Sequence, residues 1–338
     1  MDNTQKDTIQ PAAPLSAERG RLSGSTIKII AVTAMLIDHA AAAVLVRYLV
    51  SGIQTAQAAG TALAWQQEHA ALYTAYYLMR DIGRLGFPIF CFLLAEGFQR
   101  TRDVRKYALR LGMFALISEI PFNLAICGQA SNLGYQNVYF TLLLGLLALC
   151  AFGFFEKAEQ RKEKDLPAPL RMTFLVTGVI LPAAYPLVCD DLDSLEIQNC
   201  ILLCAVIVGA AVMGYFFYGM RRGLRRGQTV SADMTALALC MIAAEFLRTD
   251  YAGMGVLTIA VMYLLRRRKV LAMLAGCVVL TIMSPSELPA FFAVIPIALY
   301  NGKRGLKMKY FFYAFYPAHL ALLYLIAVLM GLGGVTLL

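Results

Sequence analysis

Residues 25–50 read Ser-Thr-Ile-Lys-Ile-Ile-Ala-Val-Thr-Ala-Met-Leu-Ile-Asp-His-Ala-Ala-Ala-Ala-Val-Leu-Val-Arg-Tyr-Leu-Val. About 20 predominantly apolar residues suffice to cross the hydrocarbon core of a bilayer, so this stretch predicts a transmembrane helix. Its interior nevertheless carries Asp38 and His39. Ionisable groups at that depth are costly; they face other protein or a wet cavity and mark a functional path. Lys28 precedes His39 by eleven residues. Eleven steps of a helix return to nearly the same face, which puts the two on one stripe about 16 Å apart. A ligand touching both is long, anionic at one end and reactive at the other.

Outward from that stretch the chain keeps the same character. Length alone suggests two soluble domains, but 59% hydrophobic and 15% charged residues override that expectation. The fold class expected is all-α, a polytopic integral membrane bundle of about ten to eleven transmembrane helices. Apolar segments fall at 25–50, 84–101, 106–127, 137–155, 172–189, 197–218, 229–248, 254–266, 270–283, 287–300 and 309–335. Those starting at 254, 270 and 287 are short, and tilt or re-entry would suit them. Residues 1–24 are polar, contain no apolar core and read as a flexible cytoplasmic tail without a cleavable signal. Residues 25–338 then form a single transmembrane domain.

The net charge of +9 is carried between the apolar segments rather than in one basic domain, which excludes nucleic acid as a partner. With Arg19 and Arg21 inside, strict alternation also places inside Arg100 to Lys106, Lys157 to Lys164, Arg221 to Arg226, Arg266 to Lys269 and Lys303 to Lys309. The opposite loops hold Asp190, Asp191, Asp193 and Glu196. Positive charge concentrates on the cytoplasmic side of membrane proteins, so the expected placement is multi-pass in the cell membrane with a cytoplasmic N-terminus.

The 51–83 connection contains Trp65, Tyr73, Tyr76 and Tyr77 and reads either as a helix lying at the interface or as a lid over an outer-facing site. Eight cysteines lie in apolar surroundings without Cys-x-x-Cys or His-Cys spacing, so they are packing residues and no metal is expected. Cys127 and Cys189 fall near span ends, where a disulfide is conceivable. No internal repeat of the kind that marks many transporters is present.

The remaining intramembrane polar residues are Glu96, Glu119, Asn123, Asn137, Glu245 and His319, with Asp81 and Arg84 at the mouth of the second span and Arg248 and Asp250 at the end of the seventh. His39 has the reference pKa of a general base at cellular pH, about 6.5. Asp38 is its chain neighbour and points about 100° away. Glu119 or Asp250 is therefore the better orienter, while Asp38 and Glu119 join His39 and His319 as catalytic candidates. Glu96 has a sufficient structural explanation in an i,i+4 pair with Arg100. Pro121, between Glu119 and Asn123, and Pro317, beside His319, each free a backbone carbonyl.

Four blocks carry a resemblance. Ile-Lys-Ile-Ile-Ala…Met-Leu-Ile-Asp-His (27–39), Ile-Gly-Arg-Leu-Gly-Phe-Pro-Ile-Phe-Cys-Phe-Leu-Leu-Ala-Glu-Gly-Phe (82–98), Tyr-Ala-Leu-Arg-Leu…Ser-Glu-Ile-Pro-Phe-Asn (107–123) and Phe-Tyr-Pro-Ala-His-Leu (315–320) resemble the TraX family. That family is named for a conjugation protein that acetylates the N-terminus of F-type pilin. The likeness covers roughly 25–140 and 245–325 and leaves 150–230 unmatched. Lys28 with His39 also resembles the Arg-or-Lys-x10-His signature of membrane acyltransferase-3 proteins, which implies a catalytic histidine and a cation that helps with the acyl donor.

Residues and resemblance together lead to acetyl transfer from acetyl-CoA. The donor-binding candidates are Lys28, Arg84, Arg100, Arg102 and Arg105. Asn123, Asp250 and Glu96 are candidates for binding the acceptor, and Asn123, Arg84 or His319 for stabilising the oxyanion. The acceptor is an extracytoplasmic or membrane-associated amine or hydroxyl: a pilin-like N-terminus, a glycan or a lipid headgroup. The alternative is a transporter or flippase that passes an anionic lipid-linked substrate with the same buried charges and no chemistry.

Overall fold

The computed structural model describes residues 20–160 and 224–335. The first span is helix α1 (Gly24–Ala40), a π-helical turn (Ala41–Leu45) and α2 (Val46–Ala58), one 35-residue rod that outruns the expected 25–50. Ser23 begins it from extended backbone, its hydroxyl accepting from the Thr26 amide. Such a cap satisfies one of the orphan donors of a first turn. Two more go to the Lys303 and Arg304 carbonyls, from the Gly24 and Ser25 amides. The start of the span is thereby pinned to the 299–306 loop.

Helices α3 (Ala62–Glu68) and α4 (Ala70–Gly83) follow, and α4 packs along α1. The 51–83 segment is thus neither a lone interfacial helix nor a free lid: its second half is a packed neighbour of the first span. Next come α5 (Gly86–Arg100), α6 (Val104–Phe122) with a second π-helical turn (Asn123–Cys127), and α7 (Val138–Gln160). Beyond the undescribed residues lie α8 (Leu224–Phe246), α9 (Ala252–Leu264), α10 (Lys269–Met283), a 3-10 segment (Pro285–Ala293), α11 (Val294–Ala298) and α12 (Lys309–Leu329).

Helix α5 sits centrally, against α1, α7, α9 and α10, while α12 closes over α1 and α6. No strand forms among the described residues, and the fold is an all-α polytopic membrane bundle. Among the described residues five helices are long and apolar enough to cross a membrane; α9, α10 and the 285–298 segment are shorter apolar helices. The spans expected at 172–189 and 197–218, with Cys189, lie outside the described residues.

The outer surface fits a bilayer rather than water. On α6, Leu109, Met113, Leu116 and Ile120 are 67, 56, 69 and 62% exposed. They recur at helical spacing, an apolar stripe that a hydrocarbon solvent satisfies.

Candidate active site

Helix α12 crosses α1 so that His319 meets His39. Nδ1 of His39 lies 2.6 Å from Nε2 of His319, and the two rings are 6° from parallel. His319 is buried, and its Nδ1 stands 2.7 Å from the Phe315 carbonyl. A carbonyl only accepts, so His319 Nδ1 carries the proton. In a neutral His319, Nε2 is then the acceptor, and His39 Nδ1 donates to it. The lone pair of the pair as a whole therefore falls on His39 Nε2, which has no protein partner among the described residues.

The orienter of His39 is thus a histidine. Glu119, expected in that role, is turned elsewhere: it accepts from Asn137, whose amide also donates to the Ala115 carbonyl. Asp250, the other expected orienter, accepts from Tyr135 at 2.8 Å. The Asp250 carboxylate, ahead of burial, raises the Tyr135 pKa, so that phenol stays a donor. The carbonyl that Pro317 frees, that of Tyr313 four residues back, takes a hydrogen bond from Tyr139 at 3.3 Å.

His39 lines a cavity of about 80 Å³ whose wall includes Asp38, Asp250, Tyr251 and Tyr316. Asp38 pairs with Arg80 of α4 at 2.6 Å. Arg84 pairs with Glu287 of the 3-10 segment, also at 2.6 Å, with the Glu287 side chain only 2% exposed. Arg84 therefore stands apart from the donor-binding residues expected with it.

A second cavity, of about 650 Å³, contains the cations Lys28, Arg100, Arg102, Arg110 and Arg304. Arg105 is absent from its wall. Lys28 makes no ion pair among the described residues; its ammonium lies 5.6 Å from the Phe312 ring centroid. Glu96 belongs to this cavity and is engaged there: it accepts from Arg100 at 2.7 Å and from the Tyr300 hydroxyl at 2.8 Å. Burial, and then that carboxylate, push the Tyr300 pKa up. Phe90, Tyr139, Leu142 and Phe312 line both cavities. Lys28 and His39 thus occupy adjoining chambers that share a wall.

Asn123 and Glu119 line neither chamber; the Asn123 side chain accepts from the Cys127 thiol at 3.9 Å and also hydrogen-bonds Glu119. In the π-helical turn that follows Pro121, the carbonyls of Leu124 and Ala125 are taken by Arg47.

The TraX protein family model matches residues 23–224 and 219–327. The chain belongs to the TraX family. The match runs through 150–230, where the motifs alone showed no likeness. A protein of Dichelobacter nodosus named "Probable fimbrial assembly protein FimC, serogroup H1" is 26% identical over 312 residues, which is 89% of this chain and 94% of that protein. No solved structure matches.

Several residues that shape this TraX-family site escape sequence reading. Arg80 sits in the segment taken for an interfacial helix, and Glu287 beside what looks like a short outer loop. Arg304 follows a Gly-Lys turn, and Tyr300 closes an apolar run. Arg110 had a usable signal: with Tyr107 and Leu111 it lies on one face of α6, and Arg105 falls roughly 140° from it.

Proposed function

We propose that this TraX-family protein is a membrane-embedded acetyltransferase in which His39, held by His319, is the general base for moving an acetyl group from acetyl-CoA to an amine or hydroxyl. The observation that carries this reading is the unpartnered Nε2 of His39 at the wall of a cavity, with its other nitrogen fixed by His319. A base needs its lone pair aimed at the reacting proton, and the hydrogen bond behind it sets the tautomer.

The basic chamber fits the donor. Phosphates are held by charge-assisted hydrogen bonds, and Lys28, Arg102 and Arg304 are cations that make no close ion pair among the described residues. In this reading the chamber opens to the cytosol, the pantetheine arm follows the α1 stripe, and the thioester reaches His39. As the acceptor oxygen or nitrogen attacks the carbonyl carbon, His39 Nε2 removes its proton and the carbonyl electron pair moves onto oxygen. Collapse reforms the carbonyl, breaks the carbon–sulfur bond and expels the thiolate, which takes the proton back from His39. The imidazolium is stabilised meanwhile by its Nδ1–H donated to His319.

The acceptor enters by the smaller chamber from the opposite side. The family resemblance, and a relative named for fimbrial assembly, favour a pilin-like N-terminus over a glycan or lipid headgroup. The test is thiol release and label transfer from radiolabelled acetyl-CoA by the purified protein in lipid nanodiscs. Wild type turns the thioester over slowly without an acceptor; His39→Ala lowers the rate by about 10²–10⁴-fold, the usual contribution of a positioned base. Equal rates in wild type and His39→Ala, or no turnover at all, would refute the reading.

A further inference from the structure

Arg47 lies in the second half of the first span, at the start of α2, is 0% exposed and has no carboxylate partner among the described residues. A buried charge in a membrane helix is unfavourable unless fully hydrogen-bonded, and marks function by default. Its donors go to four carbonyls instead: Ala43 and Ala125, both at 2.6 Å, Leu124 at 2.9 Å and Val335 at 3.3 Å. Its guanidinium carbon stands 5.8 Å from the centroid of the Tyr324 ring.

Those partners belong to four different places. Ala43 is inside the π-helical turn that opens two residues after His39. Leu124 and Ala125 are inside the second π-helical turn, at the end of α6. Tyr324 is on α12, five residues beyond His319, and Val335 follows that helix. A π-helical turn shifts the register of everything beyond it and persists only where something stabilises it. One planar fork therefore clamps the turn behind His39 to the helix that carries His319.

We propose that Arg47 is a positioning residue: by tying the two π-helical turns to α12, it holds His39 and His319 in the register that closes their hydrogen bond. This rests on the function proposed above for its kinetic consequence, but not for its geometry. Lysine cannot replace it, because a point charge on a flexible stem does not span carbonyls from three directions.

The test is a double-mutant cycle on thioester turnover, with a spectroscopic readout that needs no activity. Arg47→Met lowers kcat by about 10²-fold, the usual consequence of a misplacement of roughly 1 Å, and leaves the acetyl-CoA KM within twofold. In a His319→Ala background the same change costs less than twofold, because the contact it maintains is already gone. Arg47→Gln, which keeps an amide donor for the α6 carbonyls, carries the same comparison if Arg47→Met does not fold. In nitrogen-15 histidine-labelled protein, the downfield proton of the His39–His319 hydrogen bond is present in wild type and lost in the Arg47 variant.

An equal kcat loss in both backgrounds, or an unchanged downfield resonance, overturns the positioning role. Should wild type show no His39-dependent turnover while the resonance still depends on Arg47, the catalytic reading fails and the clamp stands.

Discussion

Gly83, the last residue of α4, is where that helix touches α1 beside His39. A Cβ built there falls well inside contact distance of three Asp38 atoms, among them Asp38 Cβ, which is fixed to the α1 backbone and cannot swing away. Restoring a normal separation in Gly83→Ala requires the helices to part by roughly 1 Å. Overpacking of this kind costs about 1–3 kcal/mol of stability. The chemical cost is larger in effect, because Asp38 precedes His39 in the chain and lines the same chamber. The 2.6 Å Arg80–Asp38 pair, which bridges the same two helices, is stretched as well. A shift of about 1 Å at a catalytic group commonly lowers turnover around 10²-fold, and that is the loss expected here.

The assay is thioester turnover alongside thermal unfolding in detergent. The diagnostic comparison is with Asp38. In Asp38→Gly the colliding atoms are gone, at a cost of about 1 kcal/mol for glycine within a helix besides the loss of the Arg80 pair, which Asp38→Ala shares. Adding Gly83→Ala to that background then costs little further stability, whereas adding it to Asp38→Ala, which retains Cβ, still does. A Gly83→Ala protein with wild-type turnover and melting temperature, or one equally impaired in all three backgrounds, would refute this account of how α4 is seated.

Two further changes probe the larger chamber and the Arg84–Glu287 pair, which lines neither chamber. Lys28→Ala removes a cation from that chamber; a charge-assisted contact contributes about 1.5 kcal/mol or more, so the acetyl-CoA KM rises about tenfold with kcat within twofold, read from saturation curves. Arg84→Met strands the buried Glu287 carboxylate and lowers thermal stability by about 3–5 kcal/mol, while Arg84→Met with Glu287→Leu recovers most of it.

The spans were legible because a bilayer leaves the chain few options: backbone groups must pair within a helix and side chains must be apolar. Legibility failed where the helix leaves lipid. Residues 51–58 include Ser51, Gln54, Thr55 and Gln57 and interrupt the apolar run, yet α2 continues through them to Ala58. Helical hydrogen bonds do not depend on hydropathy. The same limit hid α4, whose mixed face packs on α1 at one side and meets its surroundings at the other, so composition suggested an interfacial location.

Within the site, the sequence distinguished residue types but not their pairings. His39 stood out by depth and His319 by its place after Pro317. Their contact joins positions 280 apart, and no periodicity reports that. Charge logic asked for a carboxylate behind His39. Yet Phe315, four residues before His319, supplies a carbonyl that fixes His319 as an acceptor, which makes a neutral ring serve instead. Arg84 looked like a donor-binding cation because Glu287, 203 positions away, was not visible as its partner. Partners also separate the functional candidates from the structural ones. Asp38, Arg84 and Glu96 each have their polar side chains engaged by another residue, and Glu119 is held through one oxygen by Asn137. Nε2 of His39 has no protein partner and Lys28 no ion pair among the described residues, the Lys28 ammonium resting against the Phe312 ring; they face the two chambers that share a wall. In a membrane interior, where an unsatisfied polar group costs several kcal/mol, a free group that also faces a cavity is one for which a ligand is the remaining partner.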